Sequence, residues 1–152
     1  MIVCLIVLSV AAPTAGQEPS LPLAQLFDGT RVLVLPFRNI SGDPSTDWVG
    51  AGIAEAVAAD LPPTTEVVLL DADQVPPEAG DTLEAAAAGR RAGARWAIHG
   101  GYQQVGTQLR ITARVIDCET GTVVRSGRVD GGFDELFTLQ DRIVPGLAAP
   151  SI

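Results

Sequence analysis

The chain has 152 residues, and its 10 basic side chains stand against 18 carboxylates, so the formal net charge is −8. This balance excludes nucleic-acid binding driven by electrostatics, because such binding needs clustered cations that replace condensed counterions. Hydrophobic residues make up 47% of the chain, which favours one compact domain. The chain offers one His, two Cys, one Tyr and no Lys, a poor supply of catalytic groups. We therefore expect it to act by binding rather than as an enzyme.

Residues 1–12 form an uncharged apolar run that is too short to cross a bilayer as a helix, which takes about 20 apolar residues. The run is typical of an export leader, and small residues at positions 14–16 supply a cleavage point. We predict a leader over residues 1–16, as a signal peptide or an anchor, and a proline-marked linker over residues 17–30. The alternatives are a buried first strand and a misassigned start codon. Membrane contact is expected only through an uncleaved leader.

The cysteines predict neither a disulfide nor a metal site. Cys4 lies within the leader, so Cys118 is alone in the mature chain and has no partner for an internal disulfide. We interpret Cys118 as a small hydrophobe at a strand end, with a reactive thiol as the alternative. No CxxC or HExxH motif and no spaced set of His and Cys occurs. We therefore predict no bound metal and no cofactor.

The first half of the chain predicts a strand, a helix and a second strand. Residues 31–37 form an apolar run of strand length, although the proline near its end limits how far the ladder can continue. Turn formers follow at residues 39–43, and the last of them can cap a helix that begins at Pro44. Apolar residues recur in this helix at four-residue spacing, and the proline pair at 62–63 ends it. Residues 66–70 form the second strand.

The second half predicts a helix, a meander of three strands and a last helix. An alanine-rich helix opens at Asp81 or Thr82 and closes at Gly93, where a positive φ is often required. Three strands separated by tight turns follow, at residues 96–104, 108–118 and 122–130. The last helix begins near Asp134 and is interrupted by Pro145 and the glycine after it.

The order βαβαβββα restricts how these elements assemble, because crossovers between parallel strands are right-handed. If the second strand lies beside the first and the third returns to the other side, the two crossover helices lie on opposite faces. The predicted fold is a three-layer α/β/α domain with a five-stranded mixed sheet of order 2-1-3-4-5, whose fourth strand is antiparallel to its neighbours. The domain spans residues 31–147 and leaves a tail at residues 148–152.

Five segments in a distinctive order run through nearly the whole of this domain. They are VLVLPFRNISGDP at 32–44, WVGAGIAEAV at 48–57, RAGARWAIHGGY at 91–102, LRITARVIDCETG at 109–121 and FDELFTLQDRI at 133–143. Together they resemble the TolB amino-terminal-like family, which includes FlgO-like domains and a module found with bacterial cyclases and tetratricopeptide-repeat proteins. The resemblance implies a fold like the TolB amino-terminal domain and the anticodon-binding domain. It also implies an exported protein, periplasmic or outer-membrane-associated, that binds envelope protein partners.

A ligand crevice is expected at the carboxyl ends of the first and third predicted strands, the default position in an open α/β sheet of this order. The candidate ligand residues are Asn39, Ser41, Gly42, Asp43, Gly100 and Gly101. The loop residues among them are equally typical of a structural turn with a helix cap, which is the competing interpretation.

Polar residues on the outward side of the last three strands form a local cationic stripe on this acidic chain. The candidate partner surface consists of Gln103, Arg110, Thr112, Arg114 and Arg128. Arginine suits desolvated contacts with carboxylates at interfaces. The alternatives are an ordinary solvated face and a face covered by the last helix. His99 is expected on this polar side beside Arg110 or Arg114, and no motif ties it to a nucleophile.

These features predict a non-enzymatic exported envelope protein that acts as a protein–protein interaction module. The alternative is a small-ligand sensor or carrier that uses the crevice. Neither function requires nucleic acid, a metal or a cofactor.

Overall fold

The computed structural model describes residues 21–74 and 81–147. The predicted leader, the predicted tail, residues 17–20 of the predicted linker and residues 75–80 lie outside these described residues. The helices are α1 (Leu23–Phe27), α2 (Trp48–Asp60), α3 (Thr82–Arg91) and α4 (Leu136–Gly146). The strands are β1 (Arg31–Val34), β2 (Arg38–Asn39), β3 (Glu66–Leu69), β4 (Trp96–Val105), β5 (Gln108–Asp117) and β6 (Thr122–Gly132). None of the helices in the described ranges is long and apolar enough to cross a membrane.

Five of the strands form one mixed sheet in the order β3-β1-β4-β5-β6. β1 is parallel to both β3 and β4, whereas β5 is antiparallel to both β4 and β6. This confirms the predicted strand order and the antiparallel fourth strand. α2 packs on one face of the sheet and α3 on the other, as two right-handed crossovers require. The predicted three-layer α/β class is therefore confirmed.

The first predicted strand is divided at Pro36, which produces a short sixth strand that the sequence pattern does not predict. β1 ends at Val34, because proline has no amide hydrogen to donate to a ladder. β2 then resumes parallel pairing with β4, and Arg38 lies opposite Gly101. The chain takes four residue steps from Val34 to Arg38 while β4 takes three from Ile98 to Gly101. The proline therefore lies in a bulge, and the sheet continues beyond it.

The segment predicted as a linker, residues 17–30, contains a helix. α1 occupies Leu23–Phe27, and Phe27 is fully buried in the core that α2 and α4 share. Pro22 directly precedes the helix with an extended backbone, so this proline marks a helix start. Two apolar side chains four residues apart are enough to bury one side of a single turn. The linker interpretation is therefore corrected for this part of the segment.

α3 packs on the opposite face through a small core rich in alanine. Asp81 accepts a hydrogen bond from the Leu83 amide at 3.3 Å, and Gly93 follows the helix with a φ of 68°, so both predicted ends are confirmed. Gly89 lies directly over Cys118, and a Cβ added to this glycine would overlap the Cys118 Sγ. The helix can approach the sheet this closely only because position 89 has no side chain.

Replacing Gly89 with alanine is expected to destabilise the domain by about 2 kcal/mol, because the new methyl group overlaps the thiol. Cys118→Ala removes that sulfur and leaves the new methyl 3.4 Å from Cβ of residue 118, an ordinary contact. The double variant is therefore expected to be at least about 1 kcal/mol more stable than the two single effects predict when added. Urea denaturation of all four proteins measures this coupling, and strictly additive effects would contradict it.

α4 packs on the same face as α2, with Leu136, Leu139 and Ile143 buried in the larger core. Pro145 lies inside the last turn, and the helix ends at Gly146, so the proline does not interrupt the helix before its natural end. A proline removes only one intrahelical hydrogen bond, and here that bond belongs to the final turn. Because α4 lies on this face, it does not cover the arginine stripe, and that alternative is excluded.

Candidate functional site

α3 covers only one end of its face of the sheet, and no described residue covers the other end. There the strands present alternate side chains to the side opposite α2 and α4. We call this side of the sheet, as far as the described residues show it, the open face. It consists of Arg38, Ile40, His99, Gln103, Arg110, Thr112, Arg114, Ser126, Arg128 and Asp130. All five residues of the predicted partner surface therefore lie on the open face.

Strand register brings the predicted partner surface together. Gln103 lies directly opposite Arg110 in the β4–β5 ladder, and Thr112 lies opposite Arg128 in the β5–β6 ladder. Arg114 lies two residues beyond Thr112 in β5, opposite the chain's single histidine. Paired residues project to the same side of a sheet, so these side chains form one continuous surface.

An aspartate that the sequence reasoning missed partly neutralises this surface. Arg110 Nε donates to Asp130 Oδ1 at 2.7 Å, and Arg110 Nη2 donates to Oδ2 at 3.3 Å. Arg128 Nε lies 3.5 Å from Asp130 Oδ2. The Arg110 hydrogen bonds hold the pKa of the Asp130 carboxyl below its usual range. The spacing of two residues from Arg128 to Asp130 along one strand was the signal for this neighbour.

Two arginines of the open face have no carboxylate partner within the described ranges. They are Arg38 on β2 and Arg114 on β5, and both are exposed. Sequence reasoning missed Arg38, because its position on this face depends on the unpredicted strand β2. The open face thus presents four arginines against one aspartate, on a chain whose net charge is −8.

A small pocket lies between these two arginines. Its volume is about 150 Å³, and its lining includes Arg38, Ile40, His99, Gly101, Thr112 and Arg114. A Cβ added to Gly101 would lie 2.7 Å from Ile40 Cδ1, so the absent side chain at Gly101 is what lets Ile40 lie over the strand. Thr112 Oγ1 is 3.4 Å from the Gly101 carbonyl oxygen, a long hydrogen bond that leaves the hydroxyl free to take a better partner.

His99 lines this pocket in its neutral form. It is only 5% exposed, and its Nε2 atom is buried with no hydrogen-bond partner in the described structure. Burial lowers the His99 pKa to about 4, the Arg114 charge acts in the same direction, and Asp81 acts against it. The prediction that His99 lies on the polar side beside an arginine is confirmed, because its cross-strand neighbour is Arg114.

The loop of the predicted ligand crevice is held together by hydrogen bonds among its own residues and those that directly follow it. Asn39 Nδ2 donates to the carbonyl oxygen of Asp43 and to Asp47 Oδ1, both at 2.8 Å, and its own Oδ1 accepts from the Gly42 amide at 3.1 Å. Asp43 Oδ1 accepts from the amide and the hydroxyl of Ser45 at 3.0 and 2.8 Å, which lowers the Asp43 pKa. These bonds are those of a structural turn and cap.

The other three crevice residues are occupied by contacts within the fold. Ser41 Oγ accepts from the Gln104 amide at 2.6 Å and fastens the loop to β4. Gly100 and Gly101 face opposite sides of the sheet, and a Cβ on either would lie 2.7 Å from the side chain of Phe37 or Ile40, respectively. The structure therefore does not gather all six residues around one cleft, and ligand binding there stays a prediction.

Cys118 lies in the small core as a packed side chain. It is 1% exposed, and burial raises the pKa of its thiol to about 11, with Asp117 acting in the same direction. The thiol is therefore protonated at neutral pH, and thiols in this state are poor nucleophiles. Across the described residues, no three His, Cys, Asp or Glu side chains come close enough to hold a metal ion.

An aromatic cluster that the sequence reasoning also missed lies on the other face of the domain. Trp48 at the start of α2 is 58% exposed and meets Phe133 edge to face, with ring centroids 6.5 Å apart. Phe133 lies in the 3-10 turn that precedes α4, and Phe137 in the first turn of α4 is 78% exposed. The signal was the spacing of four residues between the two phenylalanines, which is close to one helical turn.

Comparisons of sequence find one partial relative. No family model matches the chain. The protein named "Putative adenylate cyclase 3" of Rhizobium meliloti (strain 1021) is 29% identical over 131 residues, which are 86% of this chain and 22% of that protein. The chain therefore spans about a fifth of the length of this curated relative.

Solved structures with the same fold include those of three bacterial proteins. The PelC dodecamer from Paraburkholderia phytofirmans matches with a TM-score of 0.56 and 19% identity, over 88% of this chain and 94% of that one. The LpoB C-terminal domain from Escherichia coli matches with a TM-score of 0.53 and 15% identity, over 73% and 96%. Lipoprotein GNA1162 from Neisseria meningitidis matches with a TM-score of 0.51 and 19% identity, over 68% and 80%. The chain thus shares its fold with these bacterial domains.

Proposed function

We propose that this chain is a non-enzymatic protein-interaction module of the bacterial envelope and that it binds its partner through the open face. The observation that carries the proposal is the half of the sheet that no residue of the described ranges covers, where four arginines stand against one aspartate on an acidic chain. Arginine is enriched in protein interfaces, because its planar group binds carboxylates through paired hydrogen bonds.

The envelope location rests on two kinds of support. The apolar first twelve residues resemble an export leader. One protein of the same fold is described as a lipoprotein, which agrees with an envelope location. Another is described as a dodecamer, an assembly held by contacts between protein chains, which agrees with the interaction role. We therefore propose an exported protein, periplasmic or outer-membrane-associated, within the TolB amino-terminal-like family.

A non-enzymatic role agrees with the state of the two candidate reactive groups. The Cys118 thiol is buried and protonated, and His99 has no nucleophile or orienting carboxylate hydrogen-bonded to it among the described residues. The relative named as an adenylate cyclase is matched over only 22% of its length, so its named activity is not transferred to this chain.

The test is capture of envelope proteins by the purified full chain after chemical crosslinking. The Arg110→Glu/Arg114→Glu variant is expected to lose at least nine-tenths of the captured partner. Both side chains are exposed and surface ion pairs add little stability, so the variant should fold normally, as circular dichroism would show.

The control is Arg142→Glu, which reverses the charge of one exposed arginine on α4, on the other side of the domain, and it is compared with Arg110→Glu and Arg114→Glu made singly as well as together. It is expected to capture the partner as well as the parent chain does. If the open-face variant captures the same proteins in the same amounts as the control, the open face is not the partner surface.

A further inference from the structure

The pocket on the open face has two features that no described contact within the fold explains. Arg38 and Arg114 line it, and neither has a carboxylate partner among the described residues. His99 also lines it, is 5% exposed, and keeps Nε2 without a hydrogen-bond partner there. Buried polar atoms in folded proteins nearly always have a partner, so the unpaired nitrogen of a residue that lines the cavity is unusual.

The groups around the pocket are nearly all hydrogen-bond donors. Guanidinium groups can only donate, and the Thr112 hydroxyl can donate. A ligand that satisfies them must bring acceptor oxygens and negative charge. A carboxylate does so in the geometry that arginine binds best, with two parallel hydrogen bonds from one guanidinium.

The size of the pocket restricts which carboxylate can enter. A volume of about 150 Å³ has room for a few waters or one short side chain, since a water takes about 30 Å³ in the liquid. Ile40 is 55% exposed at the rim, where its apolar side chain can contact the methylene groups that carry a side-chain carboxylate. An acidic side chain of a protein therefore fits both the charged and the apolar part of the pocket.

We propose that the pocket receives a glutamate or aspartate side chain from an acidic segment of the partner protein. This inference rests on the proposed function and adds the chemistry of the partner. Arg38 and Arg114 hold the carboxylate from two strands, Thr112 supplies a further donor, and the His99 ring lines the pocket beside them. The excess of arginine over aspartate on the open face draws the acidic segment toward the pocket.

The test uses a fluorescein-labelled hexaglutamate peptide and the full chain, with hexaglutamine as the uncharged probe. Fluorescence anisotropy is expected to show binding of hexaglutamate only. Arg38→Gln and Arg114→Gln are each expected to weaken it at least tenfold, because each removes one side of the carboxylate site. Arg128→Gln removes the same charge from the open face outside the pocket, and its expected effect is below threefold. Equal effects of all three variants would overturn the pocket as the site.

A second readout comes from His99, the only histidine in the chain. Its carbon-bound ring protons give two isolated NMR signals, which are expected to shift when hexaglutamate is added and to stay unchanged with hexaglutamine. Free glutarate and inorganic phosphate are tested as ligands in the same way, to distinguish a carboxylate carried by a peptide from a free anion. If either binds as tightly as the peptide and shifts the same signals, a free anion is the ligand and the proposal is overturned.

Failure of this inference can be told apart from failure of the proposed function. If hexaglutamate does not bind at the pocket while Arg110→Glu/Arg114→Glu still abolishes capture, the open face binds a partner and the proposal of a carboxylate site in the pocket is wrong. If hexaglutamate binds at the pocket while capture is unaffected by that variant, the carboxylate site stands and the proposed partner surface is wrong.

Discussion

Replacing Gly50 with alanine is expected to destabilise the domain by about 3 kcal/mol, a large effect for one methyl group. Gly50 lies in the first turn of α2, where its carbonyl oxygen accepts from the Phe37 amide at 3.1 Å. An added Cβ would overlap the Phe37 carbonyl oxygen and lie 3.2 Å from Cε1 of Tyr102. A backbone carbonyl cannot rotate away as a flexible side chain can, so the helix would have to move off the sheet.

Gly52 is the matched control on the same helix. A Cβ at Gly52 would meet only Gln140 Nε2 at 3.4 Å, which is the far end of a long side chain rather than backbone. Glycine is about 1 kcal/mol less favourable than alanine inside a helix, so Gly52→Ala is expected to be neutral or stabilising by up to that amount. Urea denaturation measures the free energy of unfolding of both variants. Similar losses in the two would show that the close approach of the helix at Gly50 is not the cause of the destabilisation.

Lowering the pH from 7 to 5 is expected to reduce the free energy of unfolding by about 2 kcal/mol because of His99. Burial lowers the pKa of His99 to about 4 in the folded chain, whereas an unfolded histidine titrates near about 6.5. Between these values the unfolded chain binds a proton that the folded chain does not, so stability is present above pH 6.5 and is lost as the pH falls. Arg114 from β5 adds to this effect, and Asp81 at the start of α3 opposes it.

His99→Gln separates this effect from the titration of carboxylates. The pKa values of Asp43, Asp117 and Asp130 are lowered in the folded chain, so their contributions are lost only below about pH 4. The variant therefore lacks the group that titrates between pH 7 and 5, and its unfolding free energy is expected to be nearly constant there. Guanidinium denaturation at several pH values measures both proteins. A parent chain as insensitive to pH as His99→Gln would contradict the buried, neutral state of the histidine.

The order of the sheet can be predicted from the sequence because it depends on features that the chain shows directly. The long connections that carry α2 and α3 admit only right-handed crossovers, and the tight turns at Gly106 and Gly121 admit only antiparallel neighbours. Both glycines have positive φ values, 61° and 72°, as such turns require.

Elements that depend on tertiary context could not be predicted in the same way. α1 is a single turn, and its two buried apolar side chains are too few to show a repeating period, so the prolines around it dominate the pattern. β2 has only two residues, and its pairing depends on how far β4 extends beyond Pro36. Local patterns cannot show this, because the partner strand lies more than sixty residues away.

The candidate site likewise has features that local sequence patterns predict and features that depend on tertiary contacts. Alternation along β5 predicts that Arg110, Thr112 and Arg114 share a face, because a strand has a fixed period of two. The pocket itself could not be predicted, since it depends on Arg38 and on the unpaired Nε2 of His99. Whether the polar loop at residues 39–43 lines a cleft or forms a turn depends on hydrogen bonds that composition does not show.

The polar character of the open face determines what kind of association it can support. Obligate interfaces resemble a hydrophobic core cut in two, and their subunits do not stay folded apart. Arginines and hydroxyls remain hydrated when no partner covers them, so this face does not by itself require a complex. We expect a complex formed there to be reversible and to form more slowly as ionic strength rises, since salt screens the attraction that guides the two surfaces together.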